Sequence, residues 1–200
     1  VVGISSRFKS NVSLTNVVVP EGYDYVDGFK DFENLSITLP QSLRFISSYA
    51  FYESTVKSIN FPNGLEAIGF GAFMNVNFEN TDITLPDSLK YLGSFAFDDT
   101  NITSLNIGAK TSVQDIDNMC WGVDIVGDDS IKYYDNPALG KCKNLESITV
   151  DENNKYYKSE NGILYSKNMT RLYKFPSAKT CENFTVPKSV DTVATYAFDS

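Results

Sequence analysis

The chain has 200 residues, of which 42% are hydrophobic and 14% aromatic, which is enough apolar material for a continuous core and argues against disorder. The formal net charge of -8 argues against nucleic acid and anionic membrane surfaces as partners, because both require a basic face. No apolar run is long enough for a bilayer span, and the first residues lack the pattern of a signal peptide. The sequence contains no histidine, the commonest general base and zinc ligand.

One motif recurs in four strict copies along the chain. Each copy has an apolar residue and a proline, apolar residues at positions +3 and +6 from that proline, alanine at +10 and phenylalanine at +11. The prolines are Pro40, Pro62, Pro86 and Pro187. A period in the low twenties is typical of a solenoid, in which each unit buries its apolar side against its neighbours. We therefore predict one elongated domain over residues 1–200, cut from a longer array, with Phe51, Phe73 and Phe97 buried.

Weaker copies extend the repeat beyond the strict ones. Val19–Pro20 opens a unit that closes at Phe29, and Phe8 fits the tail of a unit that begins before the first residue. Ile107–Gly108 opens another unit, in which Cys120–Trp121 is predicted to replace the alanine–phenylalanine pair and to fill the core. The intervals between successive unit starts are 20, 22, 24 and 22 residues, a scatter that loops tolerate at little energetic cost.

A short segment of alternating apolar and polar residues precedes the start of each unit. Alternation with β-branched residues predicts a strand, and the proline ends it because proline cannot donate to a ladder. The predicted strands include 35–39, 56–61, 102–107, 148–150 and 184–186. One such strand per coil gives a parallel sheet, and a second short strand or a helical turn is predicted on the opposite side.

Two stretches interrupt the repeat. Residues 122–139 are predicted to be an insertion that follows the Trp121 core residue. In residues 151–176, Gly162–Tyr165 and Arg171–Tyr173 flank a short polar segment, which predicts a β-hairpin. We expect this variant unit to extend the coil sideways.

The strict units resemble the BspA-like (Treponema-type) leucine-rich repeat, and the stretch from Asn154 to Pro176 resembles the hairpin-bearing variant of that repeat. The resemblance implies a leucine-rich repeat solenoid with a right-handed superhelix, a parallel sheet on its concave side, and short strands or helical turns on its convex side. It also implies a secreted or surface-anchored protein of bacteria or protozoan parasites. The family has no shared catalytic residues, so we expect neither an enzyme nor a cofactor.

A column of polar side chains is predicted on the exposed face of the sheet. Side chains alternate along a strand, so the residue before the last apolar position of each strand faces away from the core. The column offers hydroxyl and amide groups about 4.8 Å apart to an extended glycan or peptide. Such residues also suit a solvent-facing sheet with cross-strand hydrogen bonds and no ligand. The column comprises Thr38, Asn60, Thr84, Asn106, Thr149 and Thr185.

An acidic stretch in the first interruption contains Asp124, Asp128, Asp129 and Asp135. These carboxylates offer oxygen ligands for calcium, but the EF-hand spacing is absent, and a solvated acidic loop is the alternative. A pair of carboxylates also suits hydrolysis of a glycosidic bond, although nothing in the sequence determines their separation.

Three other residue types were candidates for function. The cysteines, which lack metal-ligand spacing, are expected to be buried or half-buried; they are Cys120, Cys142 and Cys181. Tyrosines in the interruptions either form a binding surface or pack against the coil; they are Tyr133, Tyr134, Tyr156 and Tyr157. Glycosylation sequons begin at Asn11, Asn34, Asn101, Asn168 and Asn183.

These observations favour a non-enzymatic binding module at the cell surface or outside the cell. The expected partner is a host extracellular-matrix protein or glycan, bound through the concave sheet. The alternative is a structural spacer that presents another domain of the parent protein. Binding of nucleic acid and direct insertion into a membrane are not expected.

Overall fold

The computed structural model describes residues 3–5, 14–111 and 138–199, and in these ranges all regular structure is β-strand. Long strands precede the proline turns, and short strands follow them. The strands are β1 (Gly3–Ser5), β2 (Asn16–Val18), β3 (Tyr25–Asp27), β4 (Leu35–Thr38), β5 (Phe45–Ile46), β6 (Thr55–Ile59), β7 (Ala67–Ile68), β8 (Asn77–Phe78), β9 (Asp82–Leu85), β10 (Tyr91–Leu92), β11 (Ser104–Ile107), β12 (Ser147–Val150), β13 (Tyr157–Glu160), β14 (Ile163–Ser166), β15 (Arg171–Lys174) and β16 (Thr192–Val193).

Equivalent strands of successive coils pair in parallel, so the chain forms a solenoid of about seven turns. The short strands form one sheet, in the order β1-β3-β5-β7-β10. The strands before the turns form two sheets, β2-β4-β6-β8 and β12-β11-β9. We call these the long strands, although β2 and β8 have only three and two residues. The predicted solenoid is confirmed, and a short strand rather than a helical turn follows the proline of each unit with an apolar–proline start, at Pro20, Pro40, Pro62, Pro86 and Pro187. The apolar residues at +3 and +6, such as Leu43 and Ile46, point into the core between the sheets.

A stack of phenylalanine rings runs through the core. Phe29, Phe51, Phe73 and Phe97 are all fully buried, and the centroids of successive rings are 5.4, 5.0 and 5.1 Å apart. The backbone holds this stack in register, because the N–H of each phenylalanine donates to the carbonyl of the alanine that precedes the next phenylalanine. This bond is 2.8 Å long from Phe51 to Ala72 and from Phe73 to Ala96. The predicted burial of the phenylalanines is thus confirmed.

The next position in the stack is filled by a residue pair that the repeat motif does not identify. Phe97 donates to the carbonyl of Ala138 at 2.9 Å, and Ala138 and Leu139 are both buried. This pair therefore replaces alanine–phenylalanine in the coil that begins with β11. Ala138 and Leu139 thus hold a place for which the sequence predicted Cys120–Trp121, a pair that lies outside the described residues.

The predicted hairpin is present and has one more strand than the sequence indicated. β14 pairs antiparallel with β15, as predicted, and β13 also pairs antiparallel with β14. Asn161 and Gly162 connect β13 to β14 with positive φ angles of 53° and 78°, as expected for a tight Asn-Gly hairpin turn. β15 then rejoins the solenoid by pairing in parallel with β16.

Candidate binding face

The long-strand face brings most of the predicted column together, in two separate groups. Thr84, Asn106 and Thr149 are directly opposite one another on β9, β11 and β12. Thr38 and Asn60 follow the paired residues Ile37 and Ile59 at the ends of β4 and β6. The threonines of both groups are exposed, and the asparagines are partly exposed.

The first group forms a hydrogen-bonded row across three strands. Thr149 Oγ1 donates to Asn106 Oδ1 at 2.5 Å, and Asn106 Nδ2 lies 3.4 Å from both Thr84 Oγ1 and the Ile83 carbonyl. The row is uncharged. Its polar groups face solvent in register, and part of their hydrogen-bonding capacity is used between strands.

Asn60 has a structural role that sequence reasoning did not identify. Its Oδ1 accepts from the Leu39 N–H at 2.7 Å, and its Nδ2 donates to the Leu39 carbonyl at 2.9 Å. Asn101 holds Phe78 in the same way, with both bonds at 2.8 Å. Each amide side chain thus continues the backbone ladder into the adjacent coil. Because the Asn101 Nδ2 is held by this bond, this sequon serves packing in the described structure.

Thr185 does not belong to the column. Residues 184–186 do not form the strand predicted for them, and Val186 is 39% exposed. The β13–β14 hairpin lies next to β12 instead, where the Ile148 N–H donates to the Gly162 carbonyl at 2.8 Å. The hairpin therefore occupies the position in which a strand containing Thr185 would have paired.

A slot separates the two long-strand sheets, between β6 and β9. No Cα atom of β6 lies within 8 Å of a Cα atom of β9, whereas bonded strands are about 4.8 Å apart. The slot has a volume of about 360 Å³ and is lined by Lys57, Ile59, Phe61, Phe78, Asp82 and Thr84, among others. The sequence feature that corresponds to the slot is the interval from Pro62 to Pro86. This interval has 24 residues, whereas the next one has 22.

Three buried ionisable side chains lie around residues 140–142, where the regular coils meet the hairpin coil; they are Asp98, Cys142 and Lys174. Burial raises the pKa of the Asp98 carboxyl, which accepts from the Lys141 N–H at 2.7 Å. Burial raises the pKa of the Cys142 thiol to about 11, so this cysteine is protonated near neutral pH. Lys174, whose pKa is lowered by burial, donates to the carbonyls of Gly140 and Asp199 at 3.0 and 2.9 Å. These groups stabilise the junction and are not accessible to a ligand.

The remaining candidates divide between described and undescribed residues. Cys142 is buried as expected, whereas Cys181 is exposed, contrary to expectation. Tyr157 is buried against the coil and Tyr156 is exposed. Across residues 14–111 and 138–199 the acidic, cysteine and histidine side chains form no group suited to a metal ion. Outside the described residues lie Asn11, Cys120, Asp124, Asp128, Asp129, Tyr133, Tyr134 and Asp135.

Within the same described ranges there is no helix long and apolar enough to cross a membrane.

Stacked parallel coils with a buried aromatic column define the class of leucine-rich repeat solenoids. The sequence matches the BspA type leucine rich repeat region in six copies over residues 4–123, which is more than half of the chain. The chain therefore belongs to the BspA-type leucine-rich repeat family, whose repeats occur in bacterial surface proteins. No curated protein matches the sequence significantly.

Two solved structures have the same fold. A leucine-rich repeat protein from Eubacterium ventriosum ATCC 27560 is 26% identical with a TM-score of 0.74, over 92% of this chain and 45% of that protein. The pneumococcal vaccine antigen PcpA is 21% identical with a TM-score of 0.59, over 99% of this chain and 55% of that protein. The chain thus spans about half the length of each structure.

Proposed function

We propose that this chain is a non-enzymatic binding module of a bacterial surface protein, which attaches to a host extracellular-matrix protein or glycan through its long-strand face. The observation that carries the proposal is the row formed by Thr84, Asn106 and Thr149. It places hydroxyl and amide groups in register on three adjacent strands and exposes them to solvent. A repeating ligand meets one such group about every 4.8 Å.

Three further observations support this function. The chain belongs to a family whose repeats occur in bacterial surface proteins. The row is uncharged, so it suits neutral polar ligands and not nucleic acid or anionic lipid. The burial of Cys142 and the raised pKa of its thiol argue against this residue as a nucleophile.

The test measures binding of the chain to a glycan array and to immobilised fibronectin and fibrinogen. The triple variant Thr84→Ala, Asn106→Ala, Thr149→Ala is expected to lose the binding detected for the wild-type chain. The matched control is Tyr91→Ala with Thr192→Ala, since both residues are exposed on short strands. Absence of detectable binding of the wild-type chain to all of these surfaces contradicts the proposal.

A structural spacer is the second candidate, and one observation favours it. The polar groups of the row bond to one another, and Asn60 bonds to its own neighbouring strand. If the chain is a spacer, the hydrogen bonds of the row only stabilise the pairing of the strands. Retention of full adhesion by the triple variant within the parent protein supports the spacer.

A further inference from the structure

The slot between β6 and β9 is caused by two extra residues in one coil. The chain segment between Phe78 and Leu85 is two residues longer than the equivalent segments from Val56 to Phe61 and from Ile102 to Ile107. Bonding to the preceding coil is regular up to this segment, with Asn77 donating to Ser54 and Glu79 to Val56, both at 2.9 Å. Beyond Glu79 the chain departs from β6, and it pairs next with β11.

Two strand edges face each other across the slot. β6 pairs with β4 along one edge. Along the edge that faces the slot, only Thr55 and Val56 of β6 have a strand partner, which is β8. β9 pairs with β11 on one side only. The described part of the chain provides no strand partner between Lys57–Ile59 and Asp82–Leu85.

The backbone groups of β9 point into this space. The Thr81 carbonyl accepts from the Thr103 N–H at 3.0 Å, and the Ile83 carbonyl faces the Asn106 amide, so both point toward the next coil. In a strand, the N–H and C=O of one residue point to the same edge, and those of the next residue point to the opposite edge. The N–H and C=O of Asp82 and Thr84 therefore face the slot. Of these four groups, the Asp82 N–H donates to Asn80 Oδ1 at 3.2 Å, which leaves the Asp82 carbonyl and both Thr84 groups for an inserted strand.

The lining of the slot suits one extended strand. The Cα atoms of β6 and β9 are more than 8 Å apart, so the two strands are not paired with each other. A strand inserted between them would require about 9.6 Å, twice the strand spacing. Val56, Phe78 and Ile83 form a buried apolar floor. Lys57 and Asp82 are exposed at the rim and have opposite charges, which leaves the entrance without net charge.

We propose that this slot binds an extended polypeptide segment of a partner protein, which inserts as a strand and joins β4, β6, β9 and β11 into one sheet. The partner segment alternates apolar and polar residues, since its side chains point alternately to the apolar floor and to solvent. Addition of a strand to an open sheet edge is an established mode of peptide recognition. This inference rests on the proposed function and specifies the ligand class for part of the same face.

A polypeptide fits this slot better than a saccharide does. The open edges of β6 and β9 present alternating donors and acceptors, and a strand satisfies them with its own N–H and C=O groups. The aromatic ring of Phe78 is buried in the floor, and Phe61 is only partly exposed, so the slot lacks an open aromatic platform for a sugar ring.

The test begins with the whole 200-residue chain, used to select from a displayed library of random linear peptides of about nine residues, a length within the usual range for a strand. Enriched peptides are expected to alternate apolar and polar residues. N-methylation of alternate backbone nitrogens is expected to weaken their binding at least about tenfold, because it removes donors but keeps the side chains. Hydrogen exchange of the amides at Ile59 and Thr84 is expected to slow when the peptide binds.

Two matched variants locate the binding. Deletion of Glu79 and Asn80 makes this coil as long as its neighbours and should close the slot, with a loss of affinity of at least about tenfold. The control, Glu79→Gly with Asn80→Gly, keeps the length and should retain binding. Circular dichroism and thermal melting verify that each variant folds. Should the deletion variant not fold, the N-methylated peptides and the exchange at Ile59 and Thr84 decide the outcome.

The results separate this inference from the proposed function. Failure to enrich any peptide, or equal binding by the closed variant, overturns the slot as a peptide site. If the triple variant of the row loses glycan or matrix-protein binding under those conditions, the proposed function stands. A glycan that binds the wild-type chain but not the closed variant assigns the slot to saccharides and also overturns the inference.

Discussion

The coils that contain Phe51 and Phe73 and the coil that ends at Phe175 reach the same stacking in different ways. In the regular coils, alanine and phenylalanine follow the short strand at fixed spacing, and rings stack in the core. In the hairpin coil, Lys174 and Phe175 occupy this place. The Phe175 N–H nevertheless donates to the Ala197 carbonyl at 2.8 Å, as the Phe51 N–H does to Ala72. The backbone bond between coils is therefore kept where the side chains of the motif are not.

The difference shows which part of the repeat is indispensable. In the coil that begins with β11, Leu139 takes the place of phenylalanine. In the hairpin coil, the buried Lys174 takes the place of alanine and donates to two carbonyls. Insertions are accommodated where the chain can extend away from the stack, as the β13–β14 hairpin does. A solenoid tolerates such changes because each coil contacts only its neighbours.

Removal of one ring from the regular stack is expected to have the largest effect. Phe73→Ala should lower the free energy of unfolding by about 3–5 kcal/mol, because Phe73 is fully buried between two stacked rings. Phe175→Ala should cost less, about 1–3 kcal/mol, since Phe175 is only partly buried. Urea unfolding monitored by circular dichroism measures both. Equal costs would show that the two coils are equally well packed.

Loss of an amide that bridges two coils is expected to have a smaller effect. Asn101→Ala leaves the N–H and the carbonyl of Phe78 without their partner and should cost about 2–3 kcal/mol. Asn63→Ala, at an exposed position, is the control and should change stability by about 0.5 kcal/mol or less. The same unfolding measurement applies. A cost below 1 kcal/mol for Asn101→Ala would contradict its structural role.

A pH-dependent effect is expected where the regular coils meet the interrupted ones. Burial raises the pKa of Asp98 above its ordinary value of 3.8, so the folded chain holds this proton more tightly than the unfolded chain. Its contribution to stability is therefore complete below pH 3.8 and is lost as the pH rises through the folded-state pKa. Relative to Asp98→Asn, which keeps an acceptor for Lys141, the wild-type chain should lose stability over that range.

Unfolding midpoints measured from acid to neutral pH test this dependence. Asp99→Asn, at the adjacent exposed position, is the control for the loss of one negative charge. A constant difference between wild type and Asp98→Asn at all pH values would show that Asp98 does not titrate as its burial requires.

The smallest effect on stability is expected on the exposed row. Thr84→Ala should change the free energy of unfolding by about 0.5 kcal/mol or less, because the Thr84 side chain is exposed and has one long hydrogen bond. Thermal melting provides this measurement. A loss above 1 kcal/mol would mean that the row mainly holds the strands together, as the spacer alternative requires.

Local pattern was sufficient for the regular part of the fold. Proline at the end of each long strand, two apolar positions and the Ala-Phe pair at constant spacing predicted the solenoid and the buried rings. The same pattern left open whether a short strand or a helical turn follows the proline. These predictions succeeded because each position in a coil faces the same neighbours in the next coil, so spacing along the sequence becomes register in space.

Two features required the tertiary structure. Thr185 has the local pattern of a strand, but the hairpin competes for the place beside β12, and only packing decides which segment pairs there. The slot arises from two extra residues before β9, which the sequence displays only as a longer interval. Strand pairing depends on the distance between backbones that are remote in sequence, and that distance is set by the stacking of whole coils.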